Sequence, residues 1–195
     1  MEKPVLEKRE GRYIVRVFRD EDPLSPEDWD NVGHLMTFHD QCYIQTNREF
    51  KHKEEGFKDY LRKNEKSLFI APVYAYIHSG AVLSLSNDSY PFNDQWDACQ
   101  IGVIYCPKKT ARKELGKDYA KKIHDTFALE IKAWNQYLSG EVYGYTVSLE
   151  ANDGVEVVES CYGFYGDPED CLAEGVSTAK YLIKEKADEN QLTML

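Results

Sequence analysis

With 195 residues, 42% of them hydrophobic and 13% aromatic, and a formal net charge of −10 at pH 7, the chain suits one domain with a real core. These values exclude a disordered acidic tail, which lacks the apolar area to fold. The longest apolar run, Leu68 to Ile77, contains Pro72 and is too short for a membrane span, and MEKPVLEKRE lacks an apolar signal core, so a soluble, cytoplasmic protein is expected.

Arg12–Arg19 (RYIVRVFR) mixes β-branched and aromatic residues and reads as a strand. Ser25-Pro26-Glu27-Asp28 is a helix start: a hydroxyl cap, proline at the first helical position and acids in the first turn. A short helix through Trp29 and a strand near His34–Phe38 should follow. Asn47–Glu65 has helical spacing at Phe50, Phe57 and Leu61, weakened or broken by Gly56. Val73–His78 and Ala81–Ser86 flank Ser79-Gly80 as a β-hairpin, and Gln100–Tyr105 is a strand stopped by Pro107. The basic stretch Lys108–Lys122 reads as an exposed helix face.

Tyr119–Leu138 carries the strongest periodicity, with Ala120, Ile123, Phe127, Ile131, Trp134 and Leu138 on one stripe and Gly140 as the stop. Glu141–Leu149 and Val155–Cys161 form a second hairpin about Asn152-Asp153-Gly154. Asp167-Pro168 then caps a helix with apolar Leu172, Val176, Ala179 and Ile183. Helices and hairpins do not alternate as βαβ units. The expected fold is α+β over residues 1–195 as a single domain, an antiparallel sheet of about five or six strands with helices packed on one face.

The charge is placed rather than spread. All 24 Lys and Arg residues lie in Lys3–Arg19, Arg48–Lys66, Lys108–Lys132 and Lys180–Lys186. The 47 residues between Lys132 and Lys180 hold no Lys, Arg or His, and they hold nine carboxylates: Glu141, Glu150, Asp153, Glu156, Glu159, Asp167, Glu169, Asp170 and Glu174. Such a field repels nucleic acid and membrane phosphates and attracts basic protein surfaces. The alternative is a solvated face whose acids gather at a helix N-terminus, where the dipole favours them.

Four stretches carry a resemblance: SPEDWDN (Ser25–Asn31) with GHLMTFH, YIHSG (Tyr76–Gly80) with QWDACQIGVIY (Gln95–Tyr105), YLSGEVYGY (Tyr137–Tyr145), and SCYGFYG (Ser160–Gly166). Together they resemble a family of small, uncharacterised proteins of bacteriophages and other mobile elements. Tyr162 stands where that family leads one to expect tryptophan. The resemblance implies a compact accessory protein. By analogy with acidic anti-CRISPR and anti-restriction proteins, it implies an anti-defence role in the host bacterial cell.

The resulting expectation is a non-enzymatic inhibitor. It would bind the basic surface of a host defence nuclease, such as a CRISPR effector or restriction enzyme, in place of nucleic acid, with no direct nucleic-acid, membrane or cofactor contact. The expected contact comprises Glu141, Glu150, Asp153, Glu156, Glu159, Asp167, Glu169 and Asp170, with Tyr162 and Tyr165 as anchors. Two other readings stand beside it: an accessory enzyme using a cysteine with His78 or His124 as base, and a regulatory protein binding a host factor. His34, His39 and Cys42 have no common zinc spacing, and no Cys-x-x-Cys pair or nucleophile elbow is present. The five cysteines, odd in number and irregularly spaced, read as reduced thiols, mostly buried.

Overall fold

The computed structural model describes residues 3–37, 54–78, 80–85, 98–151 and 154–193. In chain order the elements are β1 (Leu6–Glu10), β2 (Tyr13–Arg19), a 3-10 turn (Pro26–Asp28), β3 (His34–Thr37), α1 (Glu54–Asn64), β4 (Leu68–Ile77), β5 (Ala81–Leu85), β6 (Ala98–Pro107), α2 (Lys108–Leu115), α3 (Tyr119–Ser139), β7 (Val142–Ala151), β8 (Gly154–Tyr165) and α4 (Pro168–Thr193). The fold is α+β, and its described strands form two four-stranded antiparallel sheets where one sheet of five or six was expected. The chain divides into two compact units, Met1–Leu24 with Gly140–Leu195, and Ser25–Ser139.

In the unit Ser25–Ser139 the strand order is β3-β6-β4-β5. The α3 stripe buries Ile123, Phe127, Ile131 and Trp134 against Val73, Ala75, Leu83, Ile101 and Ile104. Pro72 sits inside β4, yet β5 pairs only with Val73–Ile77, so its missing amide faces no ladder on that side. Gly102 is required by contact: a Cβ there would lie 1.9 Å from the Met36 carbonyl oxygen of β3.

The predicted helix at Ser25 starts as read, with Ser25 Oγ accepting from the Glu27 amide at 3.2 Å, but stops after one turn. Asn31 Nδ2 donates to the Pro26 carbonyl at 2.6 Å, a side-chain bond that competes with helix propagation. Helix α1 passes through Gly56. The predicted helical residues 47–53, the predicted turn residue Ser79, and Trp96 and Asp97 of the QWDACQIGVIY stretch lie outside the described residues.

In the other unit the order is β1-β2-β7-β8, and α4 packs mainly on β7, β2 and β1. Its core joins Tyr13, Val15, Val17, Tyr143, Tyr145 and Val147 to Cys171, Val176 and Ala179 of α4. Gly175 lets the helix approach closely, since a Cβ there would fall 2.6 Å from Val15 Cγ1. Strand β8 lies outside this cover. Every side chain from Val155 to Tyr162 is exposed, and only Phe164 and Tyr165 at its end are half-buried.

Candidate partner-binding edge

The described members of the expected contact fall on or beside β7, β8 and the start of α4, and the β7–β8 register sorts those on the strands. Tyr145 pairs with Cys161, Val147 with Glu159 and Leu149 with Glu156. Tyr145, Val147 and Leu149 belong to the core under α4, so Cys161, Glu159 and Glu156 share the helix-side face. Strict alternation would put Glu156 and Glu159 on opposite faces. The register shift between Val147 and Ser148 leaves Val158 as an extra residue and brings them to the same one.

Val155, Val157 and Tyr162 pair with Glu150, Ser148 and Gly144 on the opposite face. Val155 is 52% exposed, Val157 57% and Tyr162 51%. The Tyr162 ring lies over Gly144, where a Cβ would meet its Cδ1 at 2.1 Å, so glycine is needed there for the ring to lie flat on the sheet.

Glu150 is not a free carboxylate. Arg9 Nη1 donates to its Oε2 at 2.8 Å, and that bond and charge hold the Glu150 carboxyl below its ordinary value. Asp167 acts as a helix cap: its Oδ1 accepts from the Glu169 amide at 2.9 Å, with Glu169 and Asp170 in the first turn of α4. The hydroxyl of Tyr165 donates to the Leu24 carbonyl, tying down the chain after β2 rather than standing free. Asp153 lies outside the described residues.

The expected acidic surface therefore does not form one patch. Glu156 and the α4 start are separated by the length of β8, roughly 30 Å at the rise of an extended strand. Glu141 belongs to the α4 end, where its carbonyl accepts from the Gly166 amide at 3.0 Å. Glu156 and Glu159 remain on the open strand.

Other chemistry has less support. Burial pushes the Cys106 and Cys171 thiols up to about 11, which keeps them protonated and poorly nucleophilic near neutrality. His78 stacks on Tyr76 and His124 meets Phe127 edge-on. Among the described residues no group of three His, Cys, Asp or Glu is placed to hold a metal ion; His39 and Cys42 lie outside them. No helix among the described residues is long and apolar enough to cross a membrane.

One buried carboxylate escaped the sequence reading. Glu130 of α3 is 9% exposed and accepts from the amides of Val32 (2.8 Å) and Gly33 (3.0 Å). Burial raises its pKa and the two amide bonds oppose the rise. Its position on the buried side of the Ile123–Trp134 stripe was the available signal. The arrangement anchors the entry to β3 and leaves the carboxylate satisfied.

No family model matches the chain, and neither do any curated protein or any solved structure.

Proposed function

We propose that this protein acts by binding another protein, as an acidic inhibitor that occupies the basic nucleic-acid surface of a host defence nuclease. The observation that supports this most is β8. It is a twelve-residue outer strand that presents Glu156 and Glu159 on one face, within a base-free stretch of the sequence. A surface built to hold phosphates presents Lys and Arg and would attract such a strand. The nuclease as target rests on the resemblance to mobile-element proteins and is an analogy.

The contact is narrower than the acidic stretch. It centres on Glu156, Glu159 and Tyr162, with Glu150 held by Arg9 and Asp167 used as a cap. The test is a pull-down of the tagged chain from infected bacterial lysate, followed by binding of the recovered nuclease at increasing salt. Affinity should fall as salt screens the interfacial charges, and Glu156→Lys with Glu159→Lys should abolish it. Asp167→Lys with Glu169→Lys should leave it nearly intact. Recovery of a partner that binds neither DNA nor RNA would refute inhibition of a nuclease and support the regulatory reading.

A further inference from the structure

We propose that β8 receives its partner by strand addition. A short extended segment, basic at alternate positions, would extend the β1-β2-β7-β8 sheet as a fifth strand. This rests on the protein-binding reading above and specifies how the contact is made.

The backbone supports it first. Among the described residues no strand pairs with the outer side of β8. The Ser160 amide donates to the carboxylate of its own neighbour, Glu159 Oε1, at 3.2 Å. A local side chain thus takes the place that a strand carbonyl would fill. An incoming carbonyl would satisfy that amide and release Glu159 to meet a cation. Main-chain bonds of this kind supply affinity, and side chains on the two faces supply selection.

Side-chain placement then fixes the chemistry of the occupant. On the inner side, β7 sets Leu149 and Val147, two residues apart, opposite Glu156 and Glu159. A strand tracking the outer side in the same way sets two alternate residues there, and charge complementarity makes them Lys or Arg. The residue between them faces Val157 and is apolar, as is one further along that faces Tyr162. The expected motif is base–apolar–base, flanked by apolar residues.

The same register disfavours a second copy. An antiparallel β8–β8 pair centred on the strand would place Glu156 and Glu159 of one copy among those of the other on one face, and like charges opposed across strands destabilise. The bulge at Val158 adds local twist, which disfavours flat edge-to-edge stacking.

The probe is an acetylated octapeptide of alternating lysine and valine, titrated into the full chain and followed by amide NMR. Binding should protect the Ser160 amide from exchange. Glutamate in place of lysine should weaken binding at least tenfold, as should N-methylation of the peptide amides. Ser160→Pro removes the outward donor at an edge position where proline is tolerated, and should reduce peptide binding at least tenfold at unchanged melting temperature. Should that variant unfold, Val157→Lys and Glu159→Lys provide the same test through side chains.

If the N-methylated peptide binds as well as the parent, or Ser160 stays unprotected, strand addition is wrong. A concentration-dependent dimer broken by Ser160→Pro would also overturn it, by making the occupant a second copy. If a nuclease is captured and Ser160→Pro binds it normally, the mode fails while the inhibitor reading survives. If the peptide binds as described and no nuclease is captured, the mode survives and the inhibitor reading fails.

Discussion

Strands β5 and β8 are both outer strands of four-stranded sheets, and the chain treats them differently. Beside β5, the Asn135 side chain of α3 accepts from the Leu83 amide at 2.7 Å and donates to the Leu83 carbonyl at 2.9 Å. One amide group offers donor and acceptor together, as a neighbouring strand would, and it closes the exposed edge. Beside β8 no such residue stands among the described ones, because α4 runs over β7, β2 and β1. The opposite outer strand, β1, is short and charged, with Glu7, Lys8, Arg9 and Glu10 in five residues, a common way to blunt an edge. Closing an edge takes little: one asparagine or a few charges. Leaving twelve residues open with valines outward calls for a reason, and a binding partner supplies one.

The largest expected effect tests how the Ser25–Ser139 unit is held. Glu130→Ala should cost about 3 kcal/mol in chemical unfolding, because the half-buried Val32 amide and the buried Gly33 amide lose a charged acceptor. The two units should also answer pH in opposite senses. Glu130 titrates above its ordinary 4.5 in the fold, so the proton-linked part of its contribution is complete below 4.5 and is lost as pH rises through the folded value, while the two amide bonds hold the ionised form. Glu150 titrates below 4.5 because of Arg9, so its contribution is present above 4.5 and is lost as pH falls through the folded value. Unfolding curves of Glu130→Gln and Glu150→Gln against pH should each lose one of these slopes. Loss of the same slope in both would break the contrast.

Asn135→Ala should cost about 2 kcal/mol by orphaning both Leu83 groups, and should make β5 the second open edge. Analytical ultracentrifugation at rising concentration would show new self-association if the closure argument is right. Tyr13→Phe should gain up to about 1 kcal/mol, since the buried Tyr13 hydroxyl finds no hydrogen-bond partner among the described residues. The smallest stability effect belongs to Val157→Lys, within about 0.5 kcal/mol, because that side chain already faces water. The same change should abolish partner capture, so a large stability loss there would mean that β8 is not the free edge it is taken to be.

The helices and hairpins were legible where pattern and burial coincide. The α3 stripe, the Gly140 stop and the cap at Asp167 follow from spacing and residue type, and Gly140 takes the positive φ of 69° that its role requires. Strand β1 was not legible: four charged residues in five conceal a strand whose side chains are mostly exposed. The division into two sheets escaped because pairing is non-local, and nothing near Tyr13 announces Leu149 as its partner. Within the site, charge was legible and its distribution was not. Arg9 lies far away in sequence from Glu150, and the extra residue at Val158 reverses which face a glutamate takes.

The interruption between Leu24 and Gly140 also has a consequence in time. Strand β2 ends at Arg19, whereas its neighbour β7 begins only at Val142. At ribosomal speed the gap lasts roughly 10 s. Through that interval β1 and β2 have no third strand, while the whole of Ser25–Ser139 emerges and can fold. The finished molecule exposes β8, but the nascent one first exposes β2, with Tyr13, Val15 and Val17 uncovered until β7 and α4 arrive. A growing chain of this design therefore carries the apolar face of β2 uncovered for those seconds, which the finished fold no longer shows.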